Sequence, residues 1–279
     1  MKYLDAIFSS YEDLHSVKEL KEELYVDLQE KFSDFKDLGH DDETAYRMTI
    51  NSIGDIKEII ESISVKTKEL KQIVRNDLSM NNLQDADLKG VTVREGKFDA
   101  SALKGSDFST SDLANSSFKC SDLKDVRFTS ADLTGARFNM SELRNVSFDG
   151  ANLTGARANM SDLRNVSFNG ANLTGAEFKM SDLKNASFKN CTLDNANFSG
   201  SDLSGLCFDY LTLNNTIFDK SSLAGTSFRN AVLRNVSFQI SFKTKKSIKK
   251  AFFDGATMDK LTYAVLKGYN ADLTNVTVI

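Results

Sequence analysis

The chain has 279 residues, a formal net charge of −4, no Pro, no Trp and three Cys. The odd cysteine count without metal-ligand spacing (Cys120, Cys191, Cys207) argues against a disulfide framework and reads as reduced thiols of a cytoplasmic protein. No stretch approaches the roughly twenty apolar residues of a membrane span, and the N-terminus lacks a signal-peptide core, so a soluble protein is expected.

Residues 1–70 carry a helical pattern. Leu4, Ile7, Phe8, Tyr11 and Leu14 recur at helical spacing, and Leu20, Leu24, Leu28, Phe32 and Phe35 form a second stripe. Gly39 ends that helix, and Asp41 or Asp42 starts a third through Ala45, Met48, Thr49 and Ile53. Gly54 then breaks the chain before Asp55-x-x-Glu58, an N-cap with its acidic partner, which opens a fourth helix over 55–75. The strings Gly39-His40-Asp41-Asp42-Glu43-Thr44-Ala45-Tyr46 and Ile53-Gly54-Asp55-Ile56-Lys57-Glu58-Ile59 resemble the HAAS family of helical signalling domains. So do Tyr3-Leu4-Asp5 and Glu19-Leu20-Lys21-Glu22-Glu23-Leu24. The resemblance implies association with a helix-turn-helix regulator of the PadR type.

From Leu78 to Phe238 a different rule holds, with bulky apolar residues at every fifth position: Leu103, Phe108, Leu113, Phe118, Leu123, Phe128 and onward. Neither a helix nor a strand has that period, and a fixed self-similar spacing signals a stacked repeat. With Leu123 as position i of its pentad, i−2 is small or branched (Ser121, Ala131, Ala136, Val146, Ala176), so i and i−2 face inward and the other three face water. Residues 131–150 recur as 151–170 and 171–190, so twenty residues make one coil of four sides.

Ala131-Asp132-Leu133-Thr134-Gly135 and Ala151-Asn152-Leu153-Thr154-Gly155 resemble the motif of the pentapeptide-repeat family, over residues 76–240 and again at Ala271-Asp272-Leu273. The resemblance implies a right-handed quadrilateral β-helix. The whole chain then reads as an α+β multidomain protein: a helical module at 1–70, a pentapeptide-repeat solenoid at 76–240, and a C-terminal helical cap with a final partial coil at 241–279. Registering by twenty gives one inner file of Leu103 to Leu223, one of Phe108 to Phe228, one of Leu113 to Leu233, and one of Phe118 to Phe238 broken by Ala158. Each buried Leu or Phe contributes about 1.5–3 kcal/mol before chain entropy. Absence of Pro suits backbone ladders that cannot spare an N–H. Eight coils at sheet spacing stack to about 40 Å.

Three outer features stand out, of which the charged files and the Met file are candidates for a partner surface. Asp122, Glu142, Asp162, Asp182 and Asp202 form an acidic file at i−1, beside a basic file of Lys124, Arg144, Arg164 and Lys184 at i+1, where ion pairs between coils relieve like-charge stacking. Thr134, Thr154 and Thr174 with Asn152 and Asn172 make a hydroxyl ladder. Met140, Met160 and Met180 stack at an i+2 corner, where flexible thioethers suit adaptable protein contacts.

Charge is uneven along the chain, with a net −6 over 1–75, −2 over 76–240 and +4 over 241–279. The pentad register lapses at Ser241-Phe242-Lys243-Thr244-Lys245-Lys246-Ser247-Ile248-Lys249-Lys250, a basic helix or excursion. An apolar edge ending in Val276, Val278 and Ile279 suggests a homodimer through that end, and helix 55–75 is expected to cover the first coil. The Lys cluster lacks stacking aromatics and a recognition helix, which disfavours nucleic acid.

No Gly-rich phosphate loop, nucleophile elbow or carboxylate cleft is present, both histidines lie in the helical module, and neither a cofactor nor catalysis is expected. A non-enzymatic interaction scaffold is the leading reading, with the helical module contacting a regulator. The alternative follows from the family resemblance, some of whose members imitate DNA and act on gyrase or another type II topoisomerase. The near-neutral solenoid argues against strong mimicry.

Overall fold

In a computed structural model, the chain divides into two compact units, Met1–Ile73 and Val74–Ile279. The structure describes residues 15–52, 77–241 and 244–279. In the first unit, α1 (His15–Asp37) is followed by Gly39 at φ +90°, a left-handed turn that glycine adopts without steric cost. Asp41 then caps α2 (Asp42–Asn51), its carboxylate accepting from the Thr44 amide at 2.8 Å. Ala45 and Thr49 are buried on one face of α2. The expected first and fourth helices lie outside the described residues.

In the second unit the five-residue rule becomes backbone geometry. Parallel bridges join residues twenty apart, four to a coil: Asp122 with Glu142, Arg127 with Ser147, Asp132 with Asn152, Arg137 with Arg157. The pentad centred on Leu163 shows why Pro is absent. Asp162 N–H donates back to Ser141, Leu163 and Asn165 N–H donate forward to Asp182 and Lys184, and Val166 N–H closes the turn onto Leu163. The remaining amide, that of Arg164, donates to the Asp162 side chain at 3.3 Å, so all five N–H groups are used.

The files are buried and ordered. Phe128 stacks on Phe148 at 5.2 Å and 4° between planes, and Phe148 on Phe168 at 5.3 Å. The two Phe files also meet edge to face, as Phe128 and Phe138 do at 5.8 Å and 71°. Buried serines at i−2 solve a second problem. Ser141 Oγ donates to the Phe118 carbonyl at 2.6 Å and accepts from the Ser121 amide at 3.2 Å, and Ser161 repeats this with Phe138 and Ser141. A chain of hydroxyls therefore threads one inner edge with no polar atom stranded there.

Ala158 interrupts this pattern. It is buried, its amide still donates to Glu177 at 2.8 Å, and its carbonyl still accepts from Ser181, so the ladder is unbroken while a ring is missing between Phe138 and Phe178.

Toward the C-terminus, β1 (Thr212–Asn214), β2 (Val232–Arg234), β3 (Thr257–Met258) and β4 (Thr277–Val278) form one parallel sheet in that order. Val232 pairs with Thr257, an offset of twenty-five where the other coils have twenty. The basic segment supplies the extra residues, ending in a 3-10 turn at Ile248–Lys250 that drops Ile248 into the interior. Phe253 then stacks on Phe228 at 5.2 Å, and α3 (Lys260–Gly268), capped by Asp259, buries Thr262 and Leu266.

Candidate functional site

The acidic and basic files interleave. Lys124 lies 3.4 Å from Asp122 and also pairs with Glu142; Arg144 reaches Glu142 at 3.2 Å and Asp162 at 3.1 Å; Arg164 reaches Asp162 at 2.6 Å and Asp182 at 3.7 Å. Each cation thus bridges the carboxylate of its own coil and that of the next. Hydrogen bonds from Lys124 and Arg164 hold the Glu142 and Asp162 carboxyls below the usual range. Lys184 and Asp202 make no ion pair with a described residue, and their carboxylate file serves the backbone instead: Asp182 and Asp202 accept from the amides of Lys184 and Ser204 at 3.0 Å. Because these side chains are partly exposed, the pairs contribute little individually.

The Thr ladder is likewise engaged. Thr154 Oγ1 donates to Asn152 at 2.7 Å, and Asn152 donates across to Thr134 at 2.9 Å.

Asp107 is the most deeply placed carboxylate of the solenoid wall, against Ser109, Arg127 and Lys89. Burial raises its pKa, but hydrogen bonds from Ser109 and Arg127 outweigh that and bring it to about 2. A depressed carboxyl contributes stability above the ordinary carboxylate value and loses it as pH falls through about 2. Asp107→Asn is expected to remove about 2 kcal/mol at neutral pH and to flatten the stability profile between pH 4 and 2, read by urea unfolding at each pH.

The thiols separate by exposure. Cys191 is buried and desolvation pushes its pKa up to about 12; Cys120 and Cys207 are exposed, though partial burial also raises the Cys207 thiol. In the folded protein, N-ethylmaleimide is expected to label Cys120 first, Cys207 more slowly and Cys191 only in denaturant, as mass spectrometry would show.

The Met file stands apart. Met140, Met160 and Met180 are 54%, 53% and 62% exposed and left-handed, with φ of 61°, 57° and 56°. Elsewhere this turn position is held mostly by Gly, or by Asn whose amides link coil to coil, as from Asn165 to Asn145 at 3.0 Å, and at single positions by others such as Ala100, Thr110, Cys120, Tyr210 and Lys220; only Met recurs on three successive coils without Asn or Gly. A left-handed L-residue costs on the order of 1 kcal/mol, and Met gains no amide ladder in exchange. Ahead of the Met file on the same side stand Arg137 and Arg157, both exposed and without an ion pair to any described residue. These two arginines escaped sequence reasoning, because the repeat places them where sequence alone does not show which cations find carboxylates.

Of the expected dimer edge, Val276 is half-buried, while Val278 and Ile279 are exposed. Among the described residues no group of three or more His, Cys, Asp or Glu could hold a metal ion, and no helix is long and apolar enough to cross a membrane.

A parallel solenoid of twenty-residue coils, each built from four five-residue sides, is the class these ladders define. Residues 121–198 match the family model described as a pentapeptide repeat region, and residues 181–219 that described as pentapeptide repeats. Over this stretch, about a third of its length, the chain carries pentapeptide repeats. Among solved structures it is similar to HetL, a pentapeptide repeat protein involved in heterocyst differentiation regulation from the cyanobacterium Nostoc, at 21% identity over 65% of this chain and 82% of that one, with a TM-score of 0.34. It is also similar to full-length QnrB1, a plasmid-mediated fluoroquinolone resistance protein, at 21% identity over 67% and 97%, TM-score 0.29. A third is Rfr23 from the cyanobacterium Cyanothece, at 21% identity over 44% and 87%, TM-score 0.22. No curated protein matches the chain.

Proposed function

We propose that the chain is a non-enzymatic interaction scaffold, a right-handed four-sided β-helix that presents a fixed outer wall to a protein partner while the helical unit contacts a regulator. The observation that carries this reading is the exposed Met file, placed three times at a left-handed corner where Gly or Asn is the easier choice. Met and Arg are enriched at protein interfaces, and side chains on a stacked repeat are held at fixed spacing. The charged files, by contrast, are consumed in pairing with one another and in holding turn amides. That matching of cation to carboxylate also weighs against a DNA mimic, whose surface needs uncompensated negative charge.

A photoreactive amino acid at position 160, introduced in the cell of origin, is expected to yield a discrete protein adduct that the same group at position 154 does not. Equal labelling at both, or none at either, contradicts the scaffold reading. Inhibition of gyrase supercoiling by micromolar protein would favour the mimic instead.

A further inference from the structure

Two walls of this solenoid meet the same problem, and only one solves it internally. Arginines stacked twenty residues apart stand one sheet spacing from each other, about 4.7–4.9 Å, and repel. On one wall, carboxylates of successive coils interleave with Arg144 and Arg164. On the wall that carries Met140, Met160 and Met180, Arg137 and Arg157 are bridge partners and neither makes an ion pair with a described residue; Glu177, which follows Arg157 on the next coil, feels its charge but is held by Lys179 and Asn159, each at 3.1 Å. A stacked, exposed cation pair, with one carboxylate nearby at Glu177 that Lys179 already shares, beside an exposed thioether file calls for a partner that brings both carboxylates and apolar side chains.

Spacing selects the form of that partner. Arg137 and Met140 stand at the start and at the turn of one side, three residues apart, so a single partner element can reach both. The floor between them is Asn139 and Asn159, half-buried and tied coil to coil, with the Asn159 amide donating to Asn139 at 3.0 Å. Along the stack, the Met residues recur every 4.7–4.9 Å or so, close to the helical turn of about 5.4 Å and far from the same-face repeat of a strand, about 6.7 Å. Over three coils a helix drifts by about 1 Å and a strand by about 4 Å.

We propose that this wall docks an amphipathic α-helix of a partner protein lying along the coil axis, its apolar stripe on Met140, Met160 and Met180 and an acidic flank on Arg137 and Arg157. The assignment rests on the scaffold reading and specifies its partner. Recognition is by side chains, since the backbone amides of the wall are spent between coils.

The test uses the full chain and three synthetic helices of about twenty residues: one with a Leu stripe and a Glu flank, one with the same stripe and a Lys flank, and one with Ser in place of Leu. By fluorescence anisotropy the Leu/Glu helix is expected to bind at least tenfold more tightly than the others. Arg137→Glu with Arg157→Glu is expected to reverse the preference toward the Lys helix. Met160→Ser is expected to weaken binding several-fold with the circular dichroism unchanged. Equal binding of the Glu and Lys helices, or indifference to both variants, overturns the proposal. So does salt-dependent binding of a 20-base-pair duplex that the arginine variants abolish, which would assign the wall to nucleic acid. Self-association in sedimentation that Arg157→Glu abolishes would overturn it in favour of a second copy. If the helices fail while the adduct at position 160 persists, the helix assignment falls and the scaffold stands; if no adduct forms at position 160, the scaffold reading falls and the helix assignment with it.

Discussion

Replacing Phe128 by Ala is expected to cost the solenoid about 3–5 kcal/mol, measured as a lowered urea midpoint. Phe128 is fully buried, stacks on Phe108 at 5.3 Å and on Phe148 at 5.2 Å, and meets Phe118 and Phe138 edge to face. Removal takes away the transferred apolar area and four ring contacts together, and the hydrogen-bonded coils above and below cannot close over the space. Phe252, outside the file and exposed, is the control: its ring lies under Arg229 at 4.4 Å, and Phe252→Ala should cost well under 1 kcal/mol. Hydrogen exchange should show the loss at Phe128 spreading to neighbouring coils before distant ones, as nearest-neighbour coupling requires. A cost below 1 kcal/mol at Phe128 would mean that the ring is not in the interior.

The converse substitution, Ala158→Phe, is expected to stabilise by about 2–4 kcal/mol. The backbone at Ala158 already holds the register of its file, with its amide and carbonyl paired as at the neighbouring Phe positions. A ring there completes the series between Phe138 and Phe178 without moving a strand, and adds the edge contacts that Phe148 and Phe168 lack at that level. For a domain of this size the gain corresponds to a rise in Tm of roughly 5–15 °C. If Ala158→Phe lowers stability, the gap has closed by inward movement of its neighbours and the added ring overpacks it.

The interior was legible because it obeys one period. Every fifth residue is bulky, every twentieth is alike, and burial follows both, so the sequence itself places Leu103, Phe108 and their successors in the interior. The hydroxyl chain through Ser121, Ser141 and Ser161 was not legible. Ser at i−2 reads simply as small, and its carbonyl partner lies twenty-three residues away. The acidic file shows the same limit. Its position could be read, and ion pairing between coils expected, but not its second task of binding the turn amide at i+1. Asn and Asp are chosen there because a short side chain with an acceptor closes that turn locally. The insertion at 241–250 was visible as a lapse of register, whereas the return of Phe253 beneath Phe228 depends on a 3-10 turn that composition does not announce.

Which outer residues remain free is decided by competition among neighbours. Lys124 and Arg144 find carboxylates on two coils; Arg137 and Arg157, equally regular in sequence, make no ion pair with a described residue, and Glu177 beyond Arg157 is taken up by Lys179 and Asn159. That difference, more than the pattern itself, locates the wall assigned to a partner.

Excision of one whole coil probes the twenty-residue closure on which every face assignment depends. Without residues 151–170, Phe138 would meet Phe178, Phe148 would meet Phe188, and Arg144 would face Asp182, so each file stays in register and the Ala158 gap disappears. This shortened chain is expected to fold cooperatively, with a urea midpoint at or above that of the full chain. Without residues 156–160 alone, one coil has three sides and its ladders cannot close, and the unfolding transition is expected to collapse to low urea. If the twenty-residue deletion unfolds the protein while the five-residue deletion leaves it intact, the coil does not close after four sides.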